Sequence, residues 1–272
     1  MLTGALLLLA QPAASLGAPP ESPACPAAVI AFAPPLETPL VLIRRIDRPV
    51  AEGIFTQTVT YAVTFTRSGR GYRMRWQQTG HRVDAPPELL RLLALDGESA
   101  AGEILDFTLD ADGTLLGVTE SPDAAERLRL AIDRLRTDPA LTARSEREQV
   151  AMTAVLDRLA ALPPGERAEV HKVKASRLLM LAGRPCRSSA LVAADGASFR
   201  LAAVTGETLG FSSARAESLP DGPQFSVRTT GTLSLRTGLV ESQHRSMTST
   251  VKGSSRLFRE SVTLEPISAK PD

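Results

Sequence analysis

The stretch GIFTQTVTYAVTFTRSGRGYRMRWQQTG, residues 53–80, decides how the rest of the chain is read. Phe55, Val59, Tyr61, Val63 and Phe65 share one parity, with Gln57 the polar member of that set. Thr56, Thr58, Thr60, Ala62, Thr64 and Thr66 take the other. Ser68-Gly69-Arg70-Gly71 breaks the run, and Tyr72, Met74 and Trp76 then alternate with Arg73, Arg75 and Gln77. A period of two puts successive side chains on opposite faces, so this is a pair of long strands with one apolar face, joined by a Gly-rich turn. The hairpin holds the chain's only Trp and both of its Tyr. Tyr61, Phe65, Met74 and Trp76 are the candidates to face a ligand if the apolar side lines a pocket, and are core if it is filled.

The flanking sequence extends the sheet. Leu40 to Arg48 reads as a strand ahead of the hairpin. Ile104 to Leu109 and Thr114 to Val118 flank Asp110-Ala111-Asp112-Gly113, a turn signal. A calcium loop fails there, because Thr108 stands at the first position, where an acid is required, and Thr119 where the closing Glu is required. Pro86 to Leu95 carries Leu at helical spacing. From Ser121 the period changes. Ser121 and Pro122 form an N-cap and N1 pair, and Ala125, Leu128, Ile132 and Leu135 a helical stripe. Ser145 and Glu148 form a capping box ahead of the stripe Met152, Val155, Leu156, Leu159 and Leu162. Pro163-Pro164-Gly165 stops that helix, and Glu166 to Leu181 reads as a third, with a strand at Ser176 to Ala182 as the alternative. Beyond Ser188 the period returns to two, with strands expected at 190–193, 197–205, 225–235, 238–251 and 255–264.

Strands, then helices, then strands is an α+β pattern. Strands this long must twist and curl. The expected fold is therefore a curved antiparallel sheet of long strands, with a helical block at about 121–181 packed on its concave face. Neither flanking β segment looks complete alone, so residues 40–267 read as one α+β domain.

Composition sets outer bounds. With 43% hydrophobic residues in 272 the chain can bury a core, and a net charge of +1 argues against a partner held by bulk charge, nucleic acid included. Leu2 to Ala10 is apolar and is followed by small residues, so 1–18 reads as a secretory signal, although no Lys or Arg precedes Arg44. It is too short for a transmembrane helix. Residues 19–39 form a Pro/Ala-rich leader. The expected location is periplasmic or secreted, where Cys25 and Cys186, the only cysteines, are candidates for a disulfide.

Chemistry is sparse. His81, His171 and His244 lie on different elements without ligand spacing, so no metal and no cofactor is expected. Gly210-Phe211-Ser212-Ser213-Ala214 departs from the nucleophile elbow at its last Gly, and Ser249-Thr250-Val251-Lys252 stands at a strand end rather than a helix start. Neither supports catalysis. Residues 44–82 carry eight Arg against Asp47 and Glu52, and Arg73 and Arg75 share a strand face. They are the candidate contact for an anion; charged outer strands also guard against edge pairing.

Long antiparallel strands, early and late hairpins and intervening helices over residues 40–265 resemble the half-barrel carriers of the bacterial envelope, of the LolA/LolB and LppX type. The resemblance is one of architecture and carries no motif. It implies a curved sheet closed by helices around acyl chains, with lipid or an envelope protein as partner. Three readings compete: a non-catalytic carrier of an apolar or amphiphilic ligand, a structural or interaction protein of the envelope with a solid core, and a hydrolase whose Ser, His and Asp converge only in the fold.

Overall fold

A computed structural model describes residues 25, 28–50, 53–86, 102–187, 190–193, 196–218, 224–251 and 253–267. The two central strands, β2 (Gly53–Ser68) and β3 (Gly71–Asp84), are the hairpin read from sequence, paired from Ser68↔Gly71 to Thr56↔Asp84. A register shift beside Thr60 and Tyr61 inserts one residue into β3, so His81 and Val83 return to the face of Trp76. Strand β1 (Leu40–Val50) pairs with β2 on one side and with the last strand, β12 (Ser254–Pro266), on the other. That second pairing joins the two ends of the chain into one sheet.

Strands β4 (Ile104–Leu109) and β5 (Leu115–Glu120) complete the first half. The second half comprises β6 (Cys186–Arg187), β7 (Ala190–Val192), β8 (Ser198–Thr205), β9 (Thr208–Ser218), β10 (Gln224–Ser234) and β11 (Val240–Val251). The order is β5-β4-β3-β2-β1-β12-β11-β10-β9-β8-β7-β6, every pair antiparallel, in a curved sheet that does not close. Strand β9 was not expected from sequence. Its Ser- and Ala-rich alternation around Leu209 and Phe211 is weak, and those two buried residues alone mark its inner face. The elbow-like Gly210–Ala214 is the middle of this strand.

Between the halves run α1 (Ala124–Arg136), the single turn α2 (Pro139–Thr142), α3 (Glu146–Ala160) and α4 (Pro164–Leu179). The capping box Ser145–Glu148 forms as expected. The first cap does not: α1 starts two residues later, with Asp123 at the N-cap. Pro164 sits at the start of α4, where its fixed φ suits the first turn, so Pro163-Pro164-Gly165 opens a helix as well as closing one. Within the block, α4 alone packs on the sheet. Its Ala175, Leu178 and Leu179, with Ala182 beyond it, join Val63, Phe65, Met74, Trp76 and Phe107 in the main core. Helices α1 and α3 bury Ile132 and Leu156 against each other in a separate cluster. No described helix is long and apolar enough to cross a membrane. The expected helix at 86–95, beyond Pro86, and the signal segment lie outside the described residues.

Residues 28–37 run as a strap along the end of the sheet. Ile30 N donates to Arg184 O, Gly183 N to Ile30 O, Ala33 N to Thr237 O and Glu37 N to Phe65 O. Phe32 is buried edge-on against Phe65 and Tyr72. Cys25 and Cys186 form a disulfide that ties the start of the strap to β6.

Candidate functional site

The inner face of the sheet has two regions. Under α4 it is filled: Tyr61, Phe65, Met74 and Trp76 are all buried within the main core. Trp76 lies against Tyr61 and Phe107, with ring centroids 5.3 and 5.5 Å apart. The four ligand-facing candidates are thus core residues packed under the helix.

Toward the β1–β2 and β11–β12 turns the same face becomes basic. Inner positions of β1 carry Arg44, Ile46 and Arg48; those of β11, Arg245 and Met247; those of β12, Phe258 and Glu260. Helix α4 adds Arg177, whose neighbours Ala175 and Leu178 anchor it in the core. These residues surround a cleft of about 220 Å³. Arg44 Nε donates to Glu260 Oε1 at 2.6 Å, and Arg177 Nη1 pairs with the same oxygen. Arg48 and Arg245 have no acidic partner among the described residues.

Five arginines, Arg44, Arg48, Arg177, Arg245 and Arg259, thus line a cleft whose one carboxylate is Glu260. The electrostatics reflect it. Burial pushes the Glu260 carboxyl up, but Arg177 and Arg44 outweigh burial and hold it below the usual carboxylate range. Burial pushes the Arg177 guanidinium down against the opposing pull of Glu260. Burial is the larger cause of that fall, and the like charges of Arg44 and Arg245 add to it. Drug-sized ligands occupy roughly 300–1,000 Å³, so the cleft suits a head group, with Ile46, Met247 and Phe258 beside it as apolar surface.

The other expected site residues fall elsewhere. Arg73 and Arg75 lie on the outer face and share one carboxylate: Arg73 Nη2 reaches Asp106 Oδ2 at 2.6 Å, and Arg75 Nε reaches Oδ1 at 2.9 Å. Asp106 is held below its ordinary pKa because these two pairs outweigh its partial burial. No sequence pattern linked Asp106 to the hairpin; only the β3–β4 register Arg75↔Asp106 does.

Among the histidines, His81 Nε2 meets Gln57 Nε2 at 3.0 Å, and His244 is exposed on the outer face. His171 of α4 stands 3.5 Å from Glu120 Oε1 and 4.0 Å from Glu103 Oε1. Burial, Lys174 and Arg167 push its pKa down to about 4 against the pull of Glu120, so it is neutral at pH 7. Arg167 completes the cluster, with Nη2 at 3.1 Å from Glu120 Oε2. A groove of about 310 Å³ opens beside it. The serine on that groove, Ser121, accepts from Arg127 Nη2 at 2.8 Å, an engaged hydroxyl rather than a nucleophile facing His171. The cluster fastens α4 to β5. No group of three metal-ligating side chains occurs among the described residues.

No known protein family matches the chain, and no curated protein matches it.

Proposed function

We propose that this is an exported, non-catalytic binding protein of the bacterial envelope whose ligand is an amphiphile with an anionic head group. One observation carries the reading: Arg44, Arg48, Arg177 and Arg245 line one cleft whose only carboxylate, Glu260, is taken by Arg44 and Arg177, next to Ile46, Met247 and Phe258. Guanidiniums bind carboxylate and phosphate bidentately, and the apolar side chains suit a chain leaving the head group. The filled region under α4 favours a ligand held at the cleft rather than swallowed between sheet and helix.

The test is titration of the purified protein with an anionic fluorescent fatty acid. Saturable binding, weakened at least about tenfold by Arg245→Gln, as expected for loss of one charged hydrogen bond, supports the reading. A neutral acyl alcohol binding equally well, or no binding of either, sinks it. The second reading, a solid-cored interaction protein, rests on the packing of Tyr61, Phe65, Met74 and Trp76, and gains if neither probe binds.

A further inference from the structure

The opposite face of the sheet carries a feature visible only when the strand registers are chained together. Arg82 of β3 pairs with Thr58 of β2, Thr58 with Arg45 of β1, and Arg45 with Ser261 of β12. Ser261 pairs with His244 of β11, His244 with Thr230 of β10, Thr230 with Ser212 of β9, and Ser212 with Arg200 of β8. Eight neighbouring strands thus place Arg, Thr, Arg, Ser, His, Thr, Ser and Arg in one line across the outer face. None of the eight is buried. At about 4.8 Å per strand the line runs for about 34 Å.

The adjacent line adds Arg259, Ser246 and Arg228 on β12, β11 and β10. A groove of about 240 Å³ opens between the two lines, bordered by Arg45, Arg228, Arg245 and Arg259 against Asp47 and Glu260. Among the described residues Arg82, Arg200, Arg228 and Arg259 have no acidic partner. The carboxylates on these lines are Asp47, taken by Arg45 and Thr56, and Asp84 at the β3 end. The basic line is therefore not neutralised from within.

We propose that this line is a docking track for an extended anionic polysaccharide lying across the strands. The argument is complementarity. Cations recur along the track with hydroxyls between them, and the step from strand to strand is comparable with the repeat of an extended hexuronate chain. Guanidiniums take the carboxylates and Ser and Thr take the sugar hydroxyls. Single-stranded nucleic acid is disfavoured because its binding sites use aromatic platforms, and neither line carries a Phe, Tyr or Trp. The track runs on the other face of the sheet from the cleft, with Arg245, Arg259 and Glu260 bordering both the cleft and the groove of the track.

The experiment measures binding of the full chain to polygalacturonate, with dextran and single-stranded DNA as comparison polymers. Polygalacturonate should bind, dextran should not, and an octamer should bind at least about tenfold more tightly than a dimer, as expected if one charged hydrogen bond or more is added. Arg82→Ser with Arg200→Ser, and Arg228→Ser with Arg259→Ser, should each weaken binding by about tenfold or more on the same basis. Arg228→Lys with Arg259→Lys should retain most of it. Arg134→Ser with Arg158→Ser, an equal charge loss on the helices, should leave it unchanged. No binding, equal loss in the helix variant, no dependence on length, or tighter binding of DNA overturns the proposal.

Discussion

Arg44 on β1 and Arg177 on α4 grip the same carboxylate oxygen, Oε1 of Glu260 on β12. This triad joins the strand pair that links the two halves of the sheet, β1–β12, to the helix that covers it. Glu260 is therefore a structural keystone and, at the same time, the one acid in a cleft with too many cations.

Glu260→Gln should be strongly destabilising. It leaves Arg44 and Arg177 half-buried without their counter-charge, and breaking a buried pair from one side costs about 3–5 kcal/mol. Arg245→Gln should do the opposite in ligand-free protein and raise stability slightly, by removing a like charge from Arg177. Urea midpoints of the two variants compare them directly, and a fall for both would mean that Arg245 packs more than it repels. The Glu260 carboxyl is depressed in the folded state, so its contribution is present above its unfolded value of about 4.3 and is lost as pH falls through the folded value. The gap between wild type and Glu260→Gln should accordingly close on acidification below about pH 4.

The disulfide Cys25–Cys186 closes a loop of 161 residues. Chain-entropy arguments allow up to about 5 kcal/mol for a loop that long, and removal of native disulfides typically costs about 2–5 kcal/mol. Cys25→Ser with Cys186→Ser should fall in that range by urea denaturation. Hydrogen exchange should locate part of the loss. The amides of Ile30 and Gly183, which bond the strap to the turn before β6, should exchange faster, while those of β2 and β3 should keep their order of protection.

The central hairpin was legible because its period-two pattern is long and its faces differ sharply in polarity. Tyr61, Phe65, Met74 and Trp76 share one face as their spacing implies, and the helix that buries them was one of two readings of residues 166–181, the other being a strand at Ser176 to Ala182. What could not be read was pairing at long range. Nothing local says that Arg44 meets Glu260, or that Arg82 lies in line with Arg200 seven strands away. Strand β9 was hidden because small residues blur its alternation. The start of α1 was misjudged because Asp123 competes with Ser121 as a cap and propensity does not separate them.

His171 makes α4 docking sensitive to pH. Its folded pKa is about 4 against 6.5 in the unfolded chain. The unfolded state then binds the extra proton between those values, so stability falls as pH drops from 6.5 toward 4. The full shift is worth about 3 kcal/mol at 1.36 kcal/mol per unit; screening at the rim of the groove reduces this to the order of 1–2 kcal/mol. His171→Gln should flatten the decline over that window. The decline must be compared at constant ionic strength, because the neighbouring Glu120–Arg167 pair is itself screened by salt.

Gly238, in the turn between β10 and β11, tests whether the strap is held by close approach of backbones. Its φ is +73°, and a Cβ there would lie 2.3 Å from Ala31 O. A methyl group cannot enter without pushing the strap off the sheet, and the backbone angle is unfavourable for an L-residue. Gly238→Ala should cost at least about 1–2 kcal/mol from the left-handed conformation alone, and more once Ala31 is displaced. Gly165 in the first turn of α4 is the control. A Cβ there meets nothing within 4 Å, so Gly165→Ala should stabilise the protein by about 0.5–1 kcal/mol through the lower entropy of its unfolded chain. Thermal unfolding of both variants decides the matter. If Gly238→Ala lowers the midpoint while leaving exchange at Ile30 and Gly183 unchanged, its cost lies in the turn and not in the strap.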